Sequence, residues 1–207
     1  MELLKKITGI ILIVFISVQF GKAQNQQELI TAFAESYKAE IEGDYSKASE
    51  ALKNVFDKDS YEINLRLGWL SFKAGLLDES ESYYRRAVQL MPYGLEARFG
   101  LVYPLTSLGS WKQVIQTYEE ILEIDPQNSL ANYRFGLVYY GQSDYGKAEI
   151  LFSKTVNLYP FDYDGLHMLA WTKLRLGKTQ EAEALFNKGL LYRPGDKSCL
   201  EGLSLIR

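Results

Sequence analysis

Residues 129–162 read SLANYRFGLVYYGQSDYGKAEILFSKTVNLYPFD, and this stretch decides the fold. It opens with apolar residues at helical spacing (Tyr133, Phe135, Gly136, Leu137, Tyr140), breaks at Ser143, and resumes with Ala148, Phe152, Thr155 and Val156 before Pro160. Apolar positions three and four apart describe one face of a helix. Proline, with no N–H to give and a ring that clashes with the preceding turn, ends the second helix. The same plan recurs outward in both directions. Pro92, Pro126, Pro160 and Pro194 stand 34 residues apart, dividing the chain into 61–94, 95–128, 129–162 and 163–196. The break holds Gly75, Gly109, Ser143 or Gly177, and glycine suits the left-handed residue that closes a helix. A constant period of this length predicts a stack of helix pairs.

The landmarks identify a family resemblance. Leu67-Gly68 and Phe135-Gly136, the small Ala148 and Ala182, the aromatics Tyr84, Tyr118, Phe152 and Phe186, and the four prolines together resemble the tetratricopeptide repeat. Residues 29–60 form a divergent further copy through Gly43-Asp44-Tyr45 and Ala48, with Lys58-Asp59-Ser60 in place of the terminal proline. The resemblance covers 29–196 and implies an all-α, right-handed α-solenoid whose stability grows repeat by repeat. Residues 197–207 read as a C-terminal capping helix.

The second copy departs from the pattern. Val102 stands where its neighbours have Gly68, Gly136 and Ala170, and Val114 and Ile121 are larger than the usual alanine. This helix pair is expected to sit further apart, and Pro104 is expected to kink its first helix.

The first 23 residues differ in kind. Lys5 and Lys6 precede an apolar run from Ile7 to Phe20, followed by Gly21-Lys22-Ala23. This is the pattern of a secretory signal peptide over 1–23, cleaved after Ala23. The run falls short of the roughly 17–25 residues that span a bilayer, so no membrane span is expected in the mature chain. The expected location is periplasmic, with retention of the segment as an anchor the alternative.

The formal net charge of −3 becomes about −5 once Lys5, Lys6, Lys22 and Glu2 are removed. A mildly acidic chain argues against nucleic acid. The single Cys199 has no partner for an internal disulfide. With one histidine, His167, and one cysteine, no nucleophile–base pair or metal cluster is legible, so neither enzymatic activity nor a cofactor is expected. His167 and Cys199 fall in equivalent helices of adjacent copies, which could bring them near. Asp162 and Asp164 precede a helix and read as capping residues. Gly94, Gly100 and Gly109 lack the strand and the Lys-Ser/Thr of a phosphate loop.

In proteins of this family the remaining face of each first helix lines the ligand groove. Here it carries Leu65, Trp69 and Phe72; Phe99, Tyr103 and Thr106; Tyr133, Leu137 and Tyr140; and His167, Trp171 and Leu174. Stacking the copies is expected to align Trp69, Tyr103, Leu137 and Trp171, with Phe99, Tyr133 and His167 beside them. Lys73, Arg66, Arg134 and Arg175 are expected near the edges. The lysine/asparagine clamp of chaperone-tail binders is absent, since Leu65, Trp69, Phe99 and Tyr103 occupy those places. Broad aromatic area favours a protein or peptide partner. The expected function is therefore a non-catalytic periplasmic scaffold. An envelope glycan-binding module and a self-associating structural protein are the alternatives.

Overall fold

The computed structural model describes residues 25–206, and every regular element among them is helical. The signal peptide expected over 1–23 lies outside the described residues. A first helix, α1, occupies 25–41. It is followed by α2 (Tyr45–Lys53), α3 (Tyr61–Lys73), α4 (Leu77–Leu90) and α5 (Glu96–Ser107). Then come α6 (Trp111–Ile124), α7 (Ser129–Gly141), α8 (Tyr145–Leu158), α9 (Tyr163–Arg175), α10 (Thr179–Tyr192) and α11 (Lys197–Ser204). The chain divides into two compact units between Gly109 and Ser110. The division falls inside the copy that carries Val102, Val114 and Ile121.

The prolines act through the residue before them. Met91, Asp125, Tyr159 and Arg193 each close a helix with φ between −127° and −136° and ψ between 76° and 86°. Proline disfavours the α region for its predecessor, so four equal sequence positions give four equal exits. The 29–60 copy has no such proline. Lys58 stands at the proline position there; its carbonyl accepts from Asn64 Nδ2 at 3.1 Å, as that of Pro126 does from Asn132 Nδ2 at 3.2 Å, and also from Arg86 Nε at 3.0 Å.

The break between paired helices is closed alike in four of the copies. The N–H of Asp44, Leu76, Asp144 and Lys178 donates to the carbonyl five residues back at 2.8–2.9 Å, the closure of a Schellman motif. The left-handed residue inside it is Gly43, Gly75 or Gly177, but in the third copy it is Ser143 with φ 62°. A side chain in that region costs about 1–2 kcal/mol. Glycine returns part of this through the freer unfolded chain. Ser143→Gly is therefore expected to stabilise the C-terminal unit by about 0.5–1 kcal/mol. A fall in the urea midpoint would refute this account of the turn.

Several helix starts carry side-chain caps. Asp44, Ser60, Asn128, Asp144, Asp162 and Asp196 each accept from a backbone N–H three residues on. Asp162 bonds Gly165 N at 2.7 Å, the capping role read for it from sequence. Pro104 lies buried within α5, and the helix continues past it, with Leu108 N donating to the Pro104 carbonyl at 2.9 Å.

Three of the second helices, α4, α8 and α10, each set one aromatic ring into the core against a glycine. Tyr84, Phe152 and Phe186 are almost wholly buried. Each ring lies where a neighbouring helix has no Cβ. An added Cβ at Gly68 would come within 2.9 Å of the Tyr84 ring, and at Gly100 within 2.1 Å. The corresponding distances are 2.6 Å from Gly136 to Phe152 and 2.2 Å from Gly202 to Phe186. The glycines precede or follow their ring by sixteen residues, the offset at which one helix face meets the next. Interiors are packed to crystal-like density, so these four positions admit nothing larger without displacement.

Candidate functional site: an aromatic groove in the N-terminal unit

Helices α1, α3 and α5 carry a groove of about 700 Å³ on the N-terminal unit. Its wall is aromatic: Phe33 and Tyr37 from α1, Tyr61 and Trp69 from α3, and Phe99 and Tyr103 from α5, with Leu65 between them. Trp69 meets Tyr103 edge-on with centroids 6.1 Å apart. Phe72 stacks on Tyr103 at 5.3 Å and is not itself among the residues that line the groove. Tyr37 is 51% exposed and Tyr103 37%, so these two rings offer open apolar surface. Glu62 and Glu96 add carboxylates to the lining.

The charged centre of this groove is Arg66, which is buried rather than lying at an edge. Nη1 donates to Glu40 Oε2 at 2.5 Å and Nε to Ser36 Oγ at 3.3 Å, while Cζ lies 3.9 Å from the Tyr37 ring centroid. Nη2 is buried and has no hydrogen-bond acceptor among the described residues. Glu40 also accepts from Trp69 Nε1 at 2.5 Å. Burial opposes ionisation of Glu40, but the hydrogen bonds from Trp69 and Arg66 and the charges of Arg66 and Lys73 outweigh it. Its pKa therefore falls below the ordinary carboxylate value. A carboxylate depressed in the folded state stabilises above its unfolded pKa, and this contribution is lost as pH falls through the folded one. The N-terminal unit is thus expected to lose stability as pH drops below about 4.5, the ordinary value. A Glu40→Gln variant should lack that contribution when thermal midpoints are followed between about pH 6 and 3. An identical pH profile would remove Glu40 from the account.

In the C-terminal unit the residues singled out from sequence have different surroundings. Trp171 Nε1 donates to Ser198 Oγ at 3.0 Å, and His167 Nε2 lies 2.8 Å from the same oxygen. Trp171 also stands edge-on to Phe186 at 5.3 Å. His167 stacks on Tyr163 at 5.5 Å, and burial lowers its pKa. Both side chains are therefore engaged by α11 and the packing beneath it. Cys199 is fully buried beside Gly189, its thiol pushed up to about 11 by burial and the nearby Asp196 carboxylate. Tyr133 is half-buried against Phe152 at 5.9 Å, Tyr140 is edge-on to Tyr145 at 5.2 Å, and Leu137 is 38% exposed.

Leu65, Trp69, Phe99 and Tyr103 thus line one groove, with Phe72 supporting it. Phe33 and Tyr37 were not legible as members because their copy lacks the proline that sets the register. Carrying the positions of Leu65 and Trp69 back by 32 residues, the length of that shorter copy, would have found them.

Paired helices with a groove on the face of the first helices define a helical-repeat scaffold. Residues 42–94 and 163–196 match two family models, each described as tetratricopeptide repeat. Solved structures agree on the fold. MamA is similar with a TM-score of 0.70 and 22% identity, over 80% of this chain and 91% of that one. A tetratricopeptide repeat protein from Parabacteroides merdae is similar with a TM-score of 0.75 and 23% identity, over 87% and 72%. YrrB, described as a TPR protein with an unusual peptide-binding site, is similar with a TM-score of 0.69 and 14% identity, over 89% and 97%. No curated protein matches the sequence. Residues 42–94 and 163–196 are thus matched as tetratricopeptide repeats, and the chain shares its fold with these solved structures. Among the described residues no helix is long and apolar enough to cross a membrane.

Proposed function

We propose that this protein is an exported, non-catalytic scaffold that holds a polypeptide partner against the aromatic face of its first helices. The observation that carries the reading is the groove of the N-terminal unit, with Tyr37 and Tyr103 open beside Trp69. Tyrosine and tryptophan supply large contact area with few rotors to immobilise, and they concentrate binding energy where proteins meet. The peptide-binding site named for YrrB is a property of that protein, and it supports the reading by analogy of fold. Residues 1–23 supply the export signal, and a periplasmic location follows from it. Leu65, Trp69, Phe72, Phe99 and Tyr103 are proposed as groove residues of the N-terminal unit. Tyr133, Leu137, Tyr140, His167 and Trp171 are proposed for the C-terminal one.

The test is cross-linked capture from native cell envelopes with the tagged wild type beside a Tyr37→Ala, Tyr103→Ala variant. Both side chains are more than a third exposed, so the variant should keep its fold. Proteins recovered by the wild type and lost with the variant are the expected result. Equal recovery by both would move binding off this face. A mature N-terminus at Gln24 in the exported protein would support cleavage, and an intact Met1 would refute it.

A further inference from the structure

The groove of the N-terminal unit contains one donor left over. Arg66 is 9% exposed and lines the groove; two of its nitrogens are used by Glu40 and Ser36, and Nη2 has no acceptor among the described residues. A buried N–H without a partner is costly, and an incoming acceptor would recover that cost. The acceptor's charge is set by what surrounds it. Glu40 already neutralises Arg66, and Glu62 and Glu96 line the same groove. Lys73, over the Tyr45 and Trp69 rings, offsets only one of these three carboxylates. A second anion at Arg66 would therefore meet a net negative surround, whereas a neutral carbonyl would not. Cations on the same segment would be drawn to Glu62 and Glu96.

Resting on the scaffold reading above, we propose that this groove takes an apolar polypeptide segment flanked by lysine or arginine. A main-chain carbonyl of the segment accepts from Arg66 Nη2, and an apolar side chain packs against Tyr37, Trp69 and Tyr103. Its basic residues reach Glu62 and Glu96. Tyr37, stacked over the guanidinium and half-exposed, is the ring that moves aside to admit the carbonyl.

Two dye-labelled probes test this by fluorescence anisotropy on the full chain: acetyl-Lys-Leu-Phe-Gly-Lys-amide and its twin with both lysines replaced by glutamate. The lysine probe should bind the wild type at least about tenfold more tightly, with the difference shrinking between about 0.05 and 0.5 M salt. Glu62→Gln with Glu96→Gln should bring the twins within about twofold of each other. Arg66→Lys keeps a cation for Glu40 but removes Nη2, and should weaken the lysine probe about five- to tenfold. Hydrogen exchange at α3 amides checks that this variant remains folded.

Preference for the glutamate twin, or no binding of either probe, overturns the proposal. So does a preference that survives the double glutamine change, or unchanged binding in folded Arg66→Lys. If both probes bind equally and both are lost with Tyr37→Ala, Tyr103→Ala, the scaffold reading stands and the charge preference falls. If that variant leaves both probes bound, the groove itself is not the site.

Discussion

Phe186→Ala should cost the C-terminal unit about 3–5 kcal/mol, the usual price of emptying a closed aromatic site. Phe186 is fully buried, with Trp171 edge-on at 5.3 Å and its ring tip filling the place of a Gly202 side chain. Helices α9, α10 and α11 all border the cavity, so none can collapse into it without disturbing the others. Hydrogen exchange in increasing urea, read at the amides of α9–α11, measures the loss. A deficit under about 1 kcal/mol would show that the site repacks and that this ring is not the keystone. The variant should also loosen α11 and with it Ser198, freeing the Trp171 indole and the His167 ring. Trp171 emission would then shift to the red.

Gly100→Ala is the second large effect, from the opposite fault. The new Cβ would fall 2.1 Å from Tyr84 Cε1 and 2.5 Å from Cζ, where ordinary contact begins near 3.4 Å. Tyr84 is 3% exposed and lies close to Gly68 as well, so its ring must shift from its seat to admit the new Cβ. Overpacking of this kind costs about 1–3 kcal/mol. Tyr84→Leu removes the ring atoms responsible. Gly100→Ala should therefore cost much less in that background than in the wild type. Equal costs in both backgrounds would mean that the two residues do not meet as described.

Much of this was open to reading in the sequence. Pro92, Pro126, Pro160 and Pro194 set the period, and each acts locally by fixing the exit of one helix, which is why their spacing is so informative. The turn positions Gly75, Gly109, Ser143 and Gly177 were legible for the same reason, even where serine takes the glycine conformation. What could not be read depends on partners from another copy. Arg66 looked like a long charged residue at a rim, and Ser36, Tyr37 and Glu40 of α1, in the preceding copy, make its burial tolerable. Trp171 and His167 share spacing with Trp69 and Leu65, but α11 brings Ser198 to them. Val102, Val114 and Ile121 marked the second copy as unusual; where the compact units divide is a property of contacts that no single copy contains.

The seat of Tyr84 on Gly100 has a consequence for the order in which the protein is made. A ring that rests on a glycine sixteen residues further along cannot reach its place while that glycine is still inside the ribosome. The copy holding Tyr84 must wait, with its ring uncovered, for the first helix of the next copy to emerge. Delivery of the chain from its amino end would therefore leave this ring, and Phe186 before Gly202, to be shut by a helix of the same unit released later.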